Sequence, residues 1–208
     1  MNKHTVTLIQ LLATIKKIET LKLILNKVLP IEENDWKAVK PYLSIIKFDK
    51  DEQLLCAPDI CNFIAFIKFG SMRSYHTDNK LVETNLLLRS DNEFITDYES
   101  FISQEPSTLS IQSIEKGEAI FLDRKGLNSL YNTSFYWNKF GRIISEQIFL
   151  NSKRRTAQML FLTPKERYLL LLKNHPDYFQ KYSLKHIASY LGITPQSLSR
   201  IRNQLSKH

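Results

Sequence analysis

Cysteine and glycine are scarce in this chain, and each scarcity removes a class of protein. Two cysteines, Cys56 and Cys61, cannot build a disulfide framework, and no further Cys or His stands beside them at metal-ligand spacing. A reducing cytoplasm is the expected setting. The five glycines form no phosphate-cradling loop, the five histidines are scattered, and no nucleophile–base pair or metal triad emerges. No enzymatic activity, metal or cofactor is therefore expected. Long apolar runs are missing too. The stretch Val6 to Ile15 is interrupted by Gln10 and followed by Lys16 and Lys17. It is far shorter than a bilayer span and precedes no small-residue cleavage site, so neither a membrane helix nor a signal peptide is expected. Low-complexity tracts and short repeats are likewise absent. At 208 residues, with 43% hydrophobic and 24% charged residues, the chain has the composition to fold throughout, as one good core or two modest ones.

Charge of both signs is present but unevenly placed. The formal net charge is +8. From Lys139 to His208 there are thirteen Lys/Arg against three Asp/Glu, a net +10, whereas Met1 to Asn138 carries a net −2. The basic C-terminal third is thus a separate electrostatic unit, suited to an acidic partner such as nucleic acid.

Periodicity divides the chain further. Leu8, Leu11, Leu12, Ile15, Ile18, Leu25 and Val28 follow helical spacing up to Pro30, and a short helix is predicted from Glu32 to Tyr42 with Trp36 and Val39 inward. From Ile45 to Leu122 the texture is β-rich. The runs Asn62 to Phe69, Leu81 to Leu88, Thr108 to Ile114 and Glu118 to Leu122 are separated by turn signals at Phe69-Gly70-Ser71, Thr77-Asp78-Asn79, Ser90-Asp91-Asn92 and Lys116-Gly117. An antiparallel barrel or sandwich follows. His76 stands alone in that body and is read as a turn residue, not a ligand. Helical spacing returns at Phe140, Ile143, Ile144 and Ile148, predicting one long helix from about Ser134 to about Met159. Thr163-Pro164-Lys165-Glu166 then has the form of a capping box opening another helix.

The strongest local signal runs from Ser183 to Gln204 and predicts a helix-turn-helix. Ala188 is small where two helices must cross closely, Gly192 suits a left-handed turn, Thr194 caps the second helix and Pro195 begins it. Ile187, Leu191, Ile193, Leu198 and Ile201 are the expected shared core. Gln196, Ser197, Ser199, Arg200 and Asn203 are left outward. Of these, Gln196, Ser199, Arg200 and Asn203 are the candidate base readers, since Arg pairs bidentately with guanine and Gln with adenine in the major groove. Ser183, Lys185, Thr194, Ser197 and Lys207 are candidate contacts to the DNA backbone, joined by Lys153, Arg154 and Arg155 of the long helix. The plainer alternative is a helical hairpin with solvated basic residues.

A β-rich body, a long helix and a terminal helix-turn-helix in this order resemble the Crp/Fnr transcription regulators. The segments carrying the resemblance are Phe66 to Tyr75 (FIKFGSMRSY), Asn92 to Phe101 (NEFITDYESF) and Ile187 to Arg200 (IASYLGITPQSLSR). The resemblance implies an α+β fold. Residues 1–133 would form the N-terminal helices and a cyclic-nucleotide-binding-like jelly-roll, 134–160 the long connecting and dimerisation helix, and 161–208 a helix-turn-helix unit. It implies a homodimer joined through Phe140, Ile144 and Ile148, with duplex DNA as partner, and it allows RNA polymerase and an unidentified small-molecule effector as further partners.

Gln196 and Arg200 fall on the family's base-contacting positions, whereas Pro195 stands where a basic reader is common. The effector pocket departs from the pattern. Asn92-Glu93 replaces the Gly-Glu pair that opens the pocket in cyclic-nucleotide binders, and Pro106-Ser107 replaces the Arg-containing pair that grips the cyclic phosphate. Arg89, Glu93, Ser107 and Thr108 remain as candidate pocket residues. Without a guanidinium in that place a buried phosphate lacks its bidentate partner, so cyclic AMP is not the expected effector. The alternative function is a ligand-sensing signalling module whose degenerate helix-turn-helix docks on protein.

Overall fold

A computed structural model describes residues 18–206, so the first part of the expected N-terminal helix lies outside the described residues. The helix α1 (residues 18–28) buries Ile18, Leu21 and Leu25, one stripe at helical spacing. Asn26 Oδ1 accepts from the Ile31 N–H at 2.8 Å where the chain turns. α2 (Glu33–Val39) follows, and a 3₁₀ turn at Lys40–Tyr42 ends what the periodicity predicts as one helix. Trp36 and Val39 are buried as expected, within a cluster that gathers α1, Trp137 and Phe140.

Eight strands build the body: β1 (Leu43–Phe48), β2 (Gln53–Leu55), β3 (Phe63–Phe69), β4 (Met72–Thr77), β5 (Glu83–Arg89), β6 (Phe94–Ile95), β7 (Ser110–Ser113) and β8 (Gly117–Asp123), with helix α3 (Tyr98–Ser103) between β6 and β7. They form two antiparallel four-stranded sheets, ordered β1-β8-β3-β6 and β2-β7-β4-β5. The architecture is the expected jelly-roll within an α+β fold. Its interior is filled by side chains of both sheets and the flanking helices, among them Phe48, Leu55, Ile67, Met72, Ile95, Phe101 and Ile111. Gly70, at φ +108°, makes the tight turn from β3 to β4 in a conformation side chains resist.

Helix α4 (Arg124–Thr133) leads to α5 (Phe135–Phe161), which is capped by the Ser134 hydroxyl and matches the long predicted helix to within two residues at its end. α6 (Pro164–Asn174) opens with the expected capping box: Thr163 accepts from the Glu166 N–H, and Glu166 accepts from the Thr163 N–H at 2.8 Å. α7 (Tyr178–Lys181), α8 (Leu184–Tyr190) and α9 (Pro195–Leu205) complete the chain. A third buried cluster lies beneath these helices, and Leu88 of β5 belongs to it. The roll and the C-terminal helices therefore share a core. No helix among the described residues is long and apolar enough to cross a membrane.

Candidate nucleic-acid interface

The local chemistry of α8 and α9 follows the sequence closely. The Ser183 hydroxyl accepts from the His186 N–H at 3.3 Å, and the Thr194 hydroxyl accepts from the Ser197 N–H at 3.2 Å. Both helices thus begin on a side-chain cap, and Pro195 occupies the first turn of α9, where no N–H is needed. Gly192 sits at φ +67°, the left-handed conformation that ends α8 and lets the Ile193 N–H reach back to the Ala188 C=O at 3.0 Å. Ile187, Ala188, Leu191, Leu198 and Ile201 are buried together and Ile193 packs against them, as the pattern predicts.

Burial of that stripe turns the opposite face of α9 outward. Gln196, Ser199, Arg200 and Asn203 are all exposed, and their spacing of three, four and seven residues places them on one side of the helix. Arg202 and Asn203 also border an open groove of about 510 Å³ against Tyr168 of α6. Of the backbone-contact candidates, Ser183, Lys185 and Thr194 are exposed and Ser197 is half-buried, while Lys207 lies outside the described residues.

The basic residues of the C-terminal third divide by environment. Lys153, Arg154, Lys165, Lys173, Lys185, Arg200 and Arg202 are exposed. Arg155 instead stacks on the Tyr190 ring at 4.0 Å and donates to the Tyr190 C=O, so α5 is fastened to α8; burial lowers its pKa from the ordinary value. Arg167 donates to the Leu191 C=O at 3.1 Å and the Leu162 C=O at 2.7 Å. Lys181 pairs with Asp91 at 2.8 Å. These three cations hold the fold together, a role that composition does not separate from phosphate binding.

The residues expected to line an effector pocket have other engagements. Arg89 donates to the carbonyls of Leu88 and Phe94; burial pulls its pKa down, but Glu93 and Tyr178 more than offset this and hold it above the ordinary value. Glu93 accepts from the Ser90 N–H at 2.7 Å and from the Tyr178 hydroxyl at 2.8 Å, turning it toward α7. Ser107 donates to Asp97 at 2.5 Å, and the exposed Thr108 offers its C=O to His76 Nδ1 at 3.0 Å. Their polar groups serve these local contacts, two of them at the junction with the C-terminal helices.

On α5, Phe140 is 9% exposed and packs with Trp137 and Tyr136 in the chain's own core, with Ile144 against the same cluster and Ile148 half-buried. The helix leaves Phe149, Leu150, Leu160 and Phe161 exposed. Phe149 and Leu160 are eleven residues apart, as are Leu150 and Phe161, a separation of about three turns, so they share one outward stripe. Helical periodicity shows a stripe but not which side meets the chain's own body.

No protein-family model and no curated protein matches this chain. Solved structures do resemble it. FixK2 from Bradyrhizobium japonicum superposes with a TM-score of 0.69 at 16% identity, over 79% of this chain and 85% of that one. The c-di-GMP-responsive global regulator CLP of Xanthomonas campestris gives 0.65 at 16% identity, over 85% and 92%. A candidate transcriptional regulator of the Crp/Fnr family from Eubacterium rectale gives 0.64 at 14%, over 85% and 84%. With its jelly-roll, long α5 and terminal helix pair in the same order, the chain has the fold of the Crp/Fnr regulators.

Proposed function

We propose that this protein is a sequence-specific, DNA-binding transcription regulator that acts as a homodimer and does not answer to cyclic AMP. The observation that carries the reading is the outward face of α9, where Gln196, Ser199, Arg200 and Asn203 stand together on a helix capped at Thr194 and braced by its own core. Amide, hydroxyl and guanidinium groups in that arrangement match base edges in a major groove, while exposed Lys185, Lys153 and Arg154 supply phosphate contacts. The fold shared with FixK2 and CLP supports the same reading.

A second copy is the occupant proposed for the apolar stripe of Phe149, Leu150, Leu160 and Phe161, because two parallel α5 helices would bury it and set two α9 helices side by side. The alliance of Glu93 and Arg89 with neighbouring backbone and Tyr178 favours a regulator without a cyclic-nucleotide site. Division at 133/134 and 160/161, a cytoplasmic setting, and contacts to RNA polymerase and an effector of another kind complete the proposal.

Anisotropy titration of Arg200→Ala and Lys185→Ala against a selected duplex and a scrambled one tests it. Arg200→Ala is expected to lose about 1–3 kcal/mol on the selected duplex and little on the scrambled one, whereas Lys185→Ala weakens both and lowers the salt slope by about one. Equal losses on both duplexes for the two variants would contradict base reading by Arg200.

A further inference from the structure

Strand β5 is the edge of its sheet, so its outward N–H and C=O groups have no partner strand. Helix α8 takes that place. The Asn85 N–H donates to the Ser189 hydroxyl at 2.9 Å, and the same hydroxyl donates to the Glu83 C=O at 3.2 Å, so one side chain does the work of a missing strand residue. Beside it the Asn85 amide, 3% exposed, accepts from Arg73 at 3.2 Å and donates to the His186 C=O of α8 at 3.0 Å. Arg73, itself 5% exposed, is neutralised by Glu83 at 2.6 Å and held by Gln112 at 2.7 Å.

Such a seam permits one register. Moving α8 along β5 by a single turn strips Ser189 from both strand groups and leaves the buried Asn85 amide without the His186 carbonyl. The reading face of α9 stays open while the seam is closed, so the contact orients the face without masking it. A bulge at Leu86, where Ser74 pairs Leu87 and Tyr75 pairs Asn85, bends the strand beside the seam.

We propose that Asn85 and Ser189 are positioning residues for DNA recognition: through α8 they fix the pose of α9 on the β-roll, and thereby the separation of the two half-sites that a dimer reads. The inference rests on the DNA-reading proposal above.

The full-length protein, Ser189→Ala, Ser189→Thr and Asn85→Leu are to be titrated with the duplexes the wild-type chain enriches from a random pool, and with versions of these whose half-site spacing is changed by one base pair. Circular dichroism checks that each variant is folded; if Asn85→Leu fails to fold, the Ser189 pair decides. Ser189→Ala is expected to bind the enriched duplex about tenfold more weakly, from the loss of two hydrogen bonds, and to discriminate less between spacings, with Ser189→Thr restoring both. A folded Ser189→Ala with wild-type affinity and spacing preference, or a Ser189→Thr as impaired as the alanine variant, overturns the positioning role alone. A wild-type chain that enriches no sequence overturns the DNA-reading proposal, and the positioning role falls with it.

Discussion

Replacing Tyr178 by Phe removes one oxygen from the junction between the roll and the C-terminal helices, and its cost is calculable from the contacts. The ring is 1% exposed, and its hydroxyl lies 2.7 Å from the Leu88 C=O and 2.8 Å from a Glu93 carboxylate oxygen. Burial, aided by Glu93, raises the phenol's pKa, so it stays a donor throughout the working range. A hydrogen bond to a charged group contributes about 1.5–3 kcal/mol. The lower end applies here, because Glu93 keeps the Ser90 N–H and Leu88 keeps the Arg89 guanidinium. Tyr178→Phe should therefore cost about 1.5 kcal/mol, or about 3–6 °C in Tm for a chain of this length. Thermal unfolding followed by circular dichroism measures it. Glu93→Gln in a double-mutant cycle should show coupling of about 1 kcal/mol with Tyr178→Phe. A Tm within about 1 °C of wild type, or strictly additive single effects, would refute the claim that this bond secures the junction.

His186 gives the fold a pH dependence. Its pKa is depressed below the ordinary value of 6.5, first by burial and then by Arg73, with Lys185 adding to this and Glu83 and Asp51 opposing. A depressed histidine is neutral in the fold, so stability is intact above pH 6.5 and declines as pH falls from there through the lower folded value, where the unfolded chain binds the proton first. Tm profiles between about pH 7 and about pH 5 should fall more steeply for the wild type than for His186→Gln; parallel profiles would contradict this. Gly192→Ala places a side chain at φ +67° and its Cβ at 2.6 Å from Met159. The strain is expected to cost about 1–2 kcal/mol by urea unfolding, and an unchanged midpoint would show that the turn relaxes.

Much of this molecule was legible where structure depends on neighbours in sequence. The Thr163 box, the Thr194 cap, Gly192 and the α9 core stripe each rest on contacts a few residues long, and each is present. Strand β4 was less visible because its residues read as polar: Arg73 is buried under Asn85 and Glu83, and Ser74 is fully buried. That burial comes from β5, β7 and α8, far away in the chain. The same distance concealed Ser189 as an edge partner and the pairing of Tyr178 and Tyr182 with the roll. Phe140 lies in the chain's own core, and α5 carries a further, exposed apolar surface at Phe149, Leu150, Leu160 and Phe161. An apolar stripe shows that a helix is covered; only three-dimensional packing shows by what.

Selection from a randomised duplex pool at near-physiological salt is the sharpest test of the proposal that α9 reads DNA sequence as one of a symmetric pair. Enrichment of a two-fold symmetric site with half-sites about 10–10.5 base pairs apart, or a multiple of this, is the expected outcome. Retention that is sequence-blind and lost with added salt would contradict it.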